Sequence, residues 1–224
     1  MAVSASWDWI ATANMICRGA LRKVGGYATG QNPTAEQMAE ALEALNVVQM
    51  GWQNEGIFLW TIAETTKTIT DGTSSYLTTS VKVIGISNCF IRISNHDYPV
   101  QLITREEYKN ISDKSLEGRP TKVYFSKTLT DYTLNFWYTP DQTYTFHYTQ
   151  IIRLQDLDNI ANNPDFPVEW TQALIYGLAA ELAPEYGLPI AERQDLRNES
   201  LIKRQSAWFG TKETGSFYMS PKKR

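Results

Sequence analysis

Histidine and cysteine are scarce in this chain of 224 residues, which holds only His96, His147, Cys17 and Cys89. Neither histidine has a Cys, Asp or Glu at the spacing of a zinc motif such as H-x-x-x-H. No G-x-S-x-G elbow offers a serine that a histidine could activate. His147 falls on the wet side of an expected strand, and His96 in the loop Asn95-His96-Asp97-Tyr98-Pro99. The cysteines fall in an expected helix and an expected strand, without partners at metal-ligand spacing, so both read as buried reduced thiols. A glycine-rich phosphate cradle is missing too: Gly25-Gly26 follows a helix, whereas such a loop precedes one. No window approaches the run of about 20 apolar residues that a membrane span needs. The opening MAVSASWDWI has no basic stretch ahead of an apolar one, so folding in a cytoplasm is expected. No cofactor, metal or catalytic residue is expected.

Positive charge is also limited. The formal net charge is −3, and basic residues are scattered apart from Lys222-Lys223-Arg224. A protein that reads a DNA groove would carry a basic stripe to offset phosphate charge. A mildly acidic surface suits instead a wall past which DNA slides without being held.

What the chain does have is an ordinary globular composition, 42% hydrophobic and 20% charged. A chain of this length can bury roughly 70% of its unfolded surface without staples. Ile10, Ala13, Cys17, Ala20, Leu21 and Val24 recur at helical spacing, predicting a first helix over 6–24 closed by Gly25-Gly26. Met38, Ala41, Leu42, Leu45, Val48 and Trp52 mark a second, entered through a capping box of Thr34 and Gln37. From Thr65 the period changes to short runs rich in Thr, Val, Ile, Tyr and Phe. Strands are predicted at 66–70, 81–93, 99–103, 121–126, 132–138 and 144–154. Tyr144, Phe146 and Tyr148 should share a packed face, and Thr104 with Glu107 should cap a short helix over 104–111. Pro167 opens a third helix with Val168, Thr171, Leu174, Leu178 and Leu182 on one face, ended by Pro184. A fourth runs from Pro189 to about Ala207 and is sparse in apolar residues, which suits exposure or subunit contact.

The expectation is therefore an α+β chain. A helical hairpin over 1–64 and C-terminal helices over 155–208 make a bundle, an antiparallel β domain over 65–154 is inserted in it, and an extended tail covers 209–224. Asp156 with Asp158, and Glu106 with Glu107, are the acid pairs a glycoside hydrolase could use. The first lies in a polar linker and the second in a capped turn, so solvated and capping roles fit better. The twelve tyrosines and seven tryptophans could form a sugar platform or a stacking surface, but most fall at core-facing positions.

Several stretches, in order, resemble the head-to-tail adaptor family of short-tailed bacteriophages, also called tail accessory or packaged-DNA stabilisation proteins. They are Leu45 to Trp60; Thr104-Arg105-Glu106-Glu107-Tyr108; Gly118-Arg119-Pro120-Thr121; Thr139-Pro140-Asp141; and Phe166 to Gly187 with its Leu182-Ala183-Pro184-Glu185-Tyr186-Gly187. The resemblance implies a structural virion protein, not an enzyme, made in the bacterial host's cytoplasm. It implies a ring of twelve copies beneath the portal protein, extending the channel for packaged double-stranded DNA, helping to retain that DNA without sequence-specific binding, and docking a tail nozzle or tail tube protein. It also implies that the C-terminal segment meets the portal. Trp208, Phe209, Phe217 and Tyr218 would be its aromatic anchors and Lys222, Lys223 and Arg224 its basic end. The alternatives are a phage-associated peptidoglycan hydrolase and a carbohydrate-binding tail module.

Overall fold

The computed structural model describes residues 9–28, 30–56, 58–80 and 82–211. The protein is α+β, and the chain divides into two compact units, one of Met1–Leu59 and Leu154–Arg224, the other of Trp60–Arg153.

The helical unit contains α1 (Ala13–Lys23), α2 (Ala35–Glu55), α4 (Thr171–Leu182) and α5 (Ile190–Gly210). Helix α1 begins later than its apolar spacing predicts, because the Thr12 hydroxyl accepts from the Met15 N–H and ends the extended approach there. Its Ile16, Cys17, Ala20 and Leu21 are fully buried, and meet Ala41 and Leu45 of α2 and Leu174, Leu178 and Leu182 of α4. Burying each such Leu or Ile contributes roughly 1.5–3 kcal/mol. The Thr34–Gln37 capping box is fully formed at the start of α2. Pro167 precedes a single tight turn, Val168–Trp170, which leads into α4.

A second bonding system holds α2. Asn46, Gln49 and Gln53 lie along one of its faces and bond the returning segment at 154–157. The Asn46 amide donates to the Leu157 carbonyl and accepts from the Leu157 N–H, both at 2.8 Å. Gln49 donates to Asn46 and to the Gln155 carbonyl, and Gln53 accepts from the Leu154 N–H at 3.1 Å. Segment 154–157 belongs to no helix or strand, so these amides supply partners that its backbone would otherwise lack.

The other unit holds two four-stranded sheets. One has the order β1 (Ile62–Ile69), β8 (Tyr144–Ile152), β3 (Val83–Ile93), β4 (His96–Pro99). The other has the order β2 (Ser75–Thr79), β7 (Asp131–Trp137), β6 (Lys122–Lys127), β5 (Gln101–Ile103). Their inner faces share one core: Phe136 of β7 meets Phe146 of β8 edge to face at 4.9 Å, and the Tyr132 and Tyr148 hydroxyls bond at 3.1 Å. The unit is thus a β-sandwich. Tyr144, Phe146 and Tyr148 are all buried, as their alternation predicts.

The strand expected over 99–103 is in fact two, because the chain changes sheets at the buried Val100. His96, expected in a loop, is the first residue of β4. Strand β2 had no counterpart among the expected strands. The second sheet is not wholly antiparallel: β5 runs parallel to β6, and the short helix α3 (Arg105–Lys109) with the stretch after it makes the crossover such a pair requires. Helix α3 starts at the Thr104–Glu107 capping box.

Candidate functional site

Helix α5 stands out by how little of it is covered. Among the described residues of its 21, only Ala207 is buried. Ile190, Leu201, Ile202 and Phe209 leave large apolar surface in solvent, Phe209 at 69% exposure. One side of the helix packs along α4, with Leu196 against the core, and its C-terminal end is further held by Arg204 and Trp208. The Arg204 guanidinium pairs with Glu55 of α2 at 2.7 Å and lies 5.6 Å from the Trp52 ring.

Between the ends of α2 and α5 opens a cleft of about 370 Å³ lined by Trp52, Glu55, Gly56, Phe58, Trp170, Arg204, Gln205, Trp208 and Phe209. Its walls are aromatic rings set edge to face. Phe58 packs on Trp170 at 5.2 Å, on Phe166 at 5.5 Å and on Trp208 at 5.6 Å. Trp170, fully buried, forms the floor beside Trp52. Each such pair contributes about 0.5–1.5 kcal/mol beyond burial alone, which favours this arrangement of the rings. Gly56 has an extended backbone, and a Cβ there would come within 2.9 Å of the Trp208 ring. Its lack of a side chain lets the indole close the cleft. The one carboxylate in the lining, Glu55, is already neutralised by Arg204. The cleft is suited to receive an apolar or aromatic side chain of another molecule, with a charged pair at its lip.

The expected anchors divide accordingly. Trp208 is an inward wall of the cleft and Phe209 an exposed ring at its rim. Phe217, Tyr218, Lys222, Lys223 and Arg224 lie outside the described residues. Trp52, Phe58 and Trp170 complete the site. Residues so far apart in sequence give no sign of converging.

The other residues that could carry chemistry stand in structural or solvent-exposed positions. Glu107 accepts from the Thr104 N–H and hydroxyl, which hold its carboxyl below the usual range. Asp156 and Asp158 are exposed, and Asp158 accepts from the Asn162 amide. His147 is half-buried on the outer face of its sheet, stacked flat on Phe90 at 4.9 Å. Burial pushes the Cys17 and Cys89 thiols up to about 12. Among the described residues no cluster of His, Cys, Asp and Glu could hold a metal ion, and no helix is long and apolar enough to cross a membrane. Neither a protein-family model nor a curated protein sequence matches the chain.

Proposed function

We propose that the chain is a structural virion protein, a head-to-tail adaptor that assembles as a ring, of twelve copies by the resemblance, on the portal of a filled phage head. In this reading it extends the DNA channel, helps retain the packaged genome and presents a surface to the tail nozzle or tube protein.

The observation that carries the reading is α5. A helix of 21 residues with one buried side chain among those described, ending in an aromatic cleft, leaves more apolar surface exposed than its own unit covers. A ring joins two different faces of each copy, and the uncovered side of α5 with the cleft at its end would supply one of them. The ordered series of segments shared with the adaptor family supports the same assignment.

Electron microscopy of the chain mixed with its cognate portal tests it. Rings should form on the portal with the parent chain and be lost with Phe209→Ala, while the melting temperature of the isolated variant reports any loss within the subunit itself. Rings that form equally well with the variant would remove Phe209 from the interface, and no ring with the parent chain would sink the reading. A carbohydrate-binding tail module is the second reading, favoured by the aromatic lining of the same cleft. Retention of the chain on a glycan array, abolished by Trp208→Ala, would select it.

A further inference from the structure

The sandwich unit carries a second candidate site, on the outward face of the sheet β2–β7–β6–β5. Residues Tyr124 and Ser126 of β6 alternate with the buried Val123, and Thr133 and Asn135 of β7 with the buried Tyr132, Leu134 and Phe136. Helix α3 and the turn after it border this face. Together they form an open groove of about 330 Å³ lined by Arg105, Lys109 and Lys114 with those residues and Tyr108.

The groove has three cations and no carboxylate in its lining. That sorting of charge is a product of the fold, because Glu106, Glu107 and Asp113 are interleaved with Arg105, Lys109 and Lys114 along the chain. Glu107 turns back to cap α3, and the Asp113 carboxylate accepts from the Ser115 N–H and hydroxyl. None of the three cations is in an ion pair among the described residues. Lys114 donates to the Lys109 and Ile111 carbonyls, which fixes its ammonium near the Tyr108 ring. Lys122, at the outward position two before Tyr124, stands outside the groove lining, 4.9 Å from the Trp137 ring and near the Glu107 carboxylate, which its charge helps to hold ionised.

We propose that this groove binds the phosphate backbone of duplex DNA. Arg, Lys, Ser, Thr, Asn and Tyr are the side-chain types that contact phosphate oxygens without reading sequence, and all six occur here. Base stacking is disfavoured, because Tyr108 and Tyr124 are half-buried and stacked on each other at 5.4 Å. The inference goes beyond the adaptor reading, which names no residue that holds DNA, and it is tested without portal or ring.

The test is fluorescence anisotropy of a labelled short duplex with the full chain, from about 20 to about 200 mM salt. Three phosphate contacts give a slope of log K against log salt of about −2.7. Arg105→Glu with Lys109→Glu should weaken binding at low salt at least tenfold and reduce the slope by about two. Both positions are exposed, and an acid at Arg105 suits the first turn of α3 while one at Lys109 opposes its last turn, so the two effects offset and the melting temperature should move little. Lys109→Glu alone, with about half the effect on the slope, provides the check should the double variant misfold. No binding by the parent chain at low salt overturns the proposal. So does binding that ignores both variants but is lost on changing Lys222, Lys223 and Arg224, or tighter binding of the matching single strand.

Discussion

Replacing Asn46 with alanine should destabilise the helical unit far more than its half-exposed place on α2 suggests. In the parent chain the Asn46 amide satisfies both the N–H and the carbonyl of Leu157, whose side chain is 5% exposed, and it accepts from Gln49. Alanine leaves two backbone groups unpaired at about 1–3 kcal/mol each. Its better helix propensity returns only about 0.6 kcal/mol. The net loss is roughly 1.5–5.5 kcal/mol, or a fall in melting temperature of about 3–20 °C for a chain of this size. Asn46→Asp retains the acceptor for the Leu157 N–H and should fall in between. Val47→Ala, at the neighbouring exposed position, should stay within about 0.5 kcal/mol. Urea unfolding followed by tryptophan fluorescence measures all three. An Asn46→Ala midpoint equal to that of Val47→Ala would refute the reasoning, since segment 154–157 would then have found other partners at no cost.

Two glycines on neighbouring helices should respond in opposite ways to alanine. At Gly51 nothing lies within 4 Å of the added carbon, and the chain should gain about 0.5–1 kcal/mol; at Gly177 the carbon would sit 2.5 Å from Trp52 Cζ2, and overpacking of about 1–3 kcal/mol should outweigh the gain. A calorimetric scan that moves both midpoints the same way would contradict this. Stability should decline as pH rises above about 9. Thiols that ionise near their ordinary value in the unfolded chain stay protonated in the folded one up to about 12, so the unfolded state gains up to about 1.4 kcal/mol per pH unit for each. Urea midpoints between pH 8 and 10 check the slope, and Cys17→Ala should remove its own share.

Local chemistry was the legible part of this fold. Both capping boxes, at Thr34 and Thr104, and the alternation of Tyr144, Phe146 and Tyr148 depend on residues within a few positions of each other, so a linear reading finds them. The ladder of Asn46, Gln49 and Gln53 escaped because polar side chains on a helix ordinarily mark the wet face. Here they face a stretch of chain more than a hundred positions away that has no ladder of its own. Strand β2 escaped because Ser75-Tyr76-Leu77-Thr78-Thr79 has little apolar alternation and is held by backbone pairing to β7. The sheet change at Val100 takes a single residue and no turn signal. The aromatic cleft joins Trp52, Trp170 and Trp208, and the basic groove depends on which acids turn away, so neither has a spacing that could be read.

The helical core has a consequence for synthesis. Its halves are translated at opposite ends of the chain, with all of 60–153 in between. At about 5–20 residues per second, the apolar faces of α1 and α2 must wait several seconds for α4. The ribosome can release a finished sandwich before the helices have anything to close on. A product that stops anywhere within 60–153 would leave Ile16, Leu21 and Leu45 without their lid, open to chaperones and to one another.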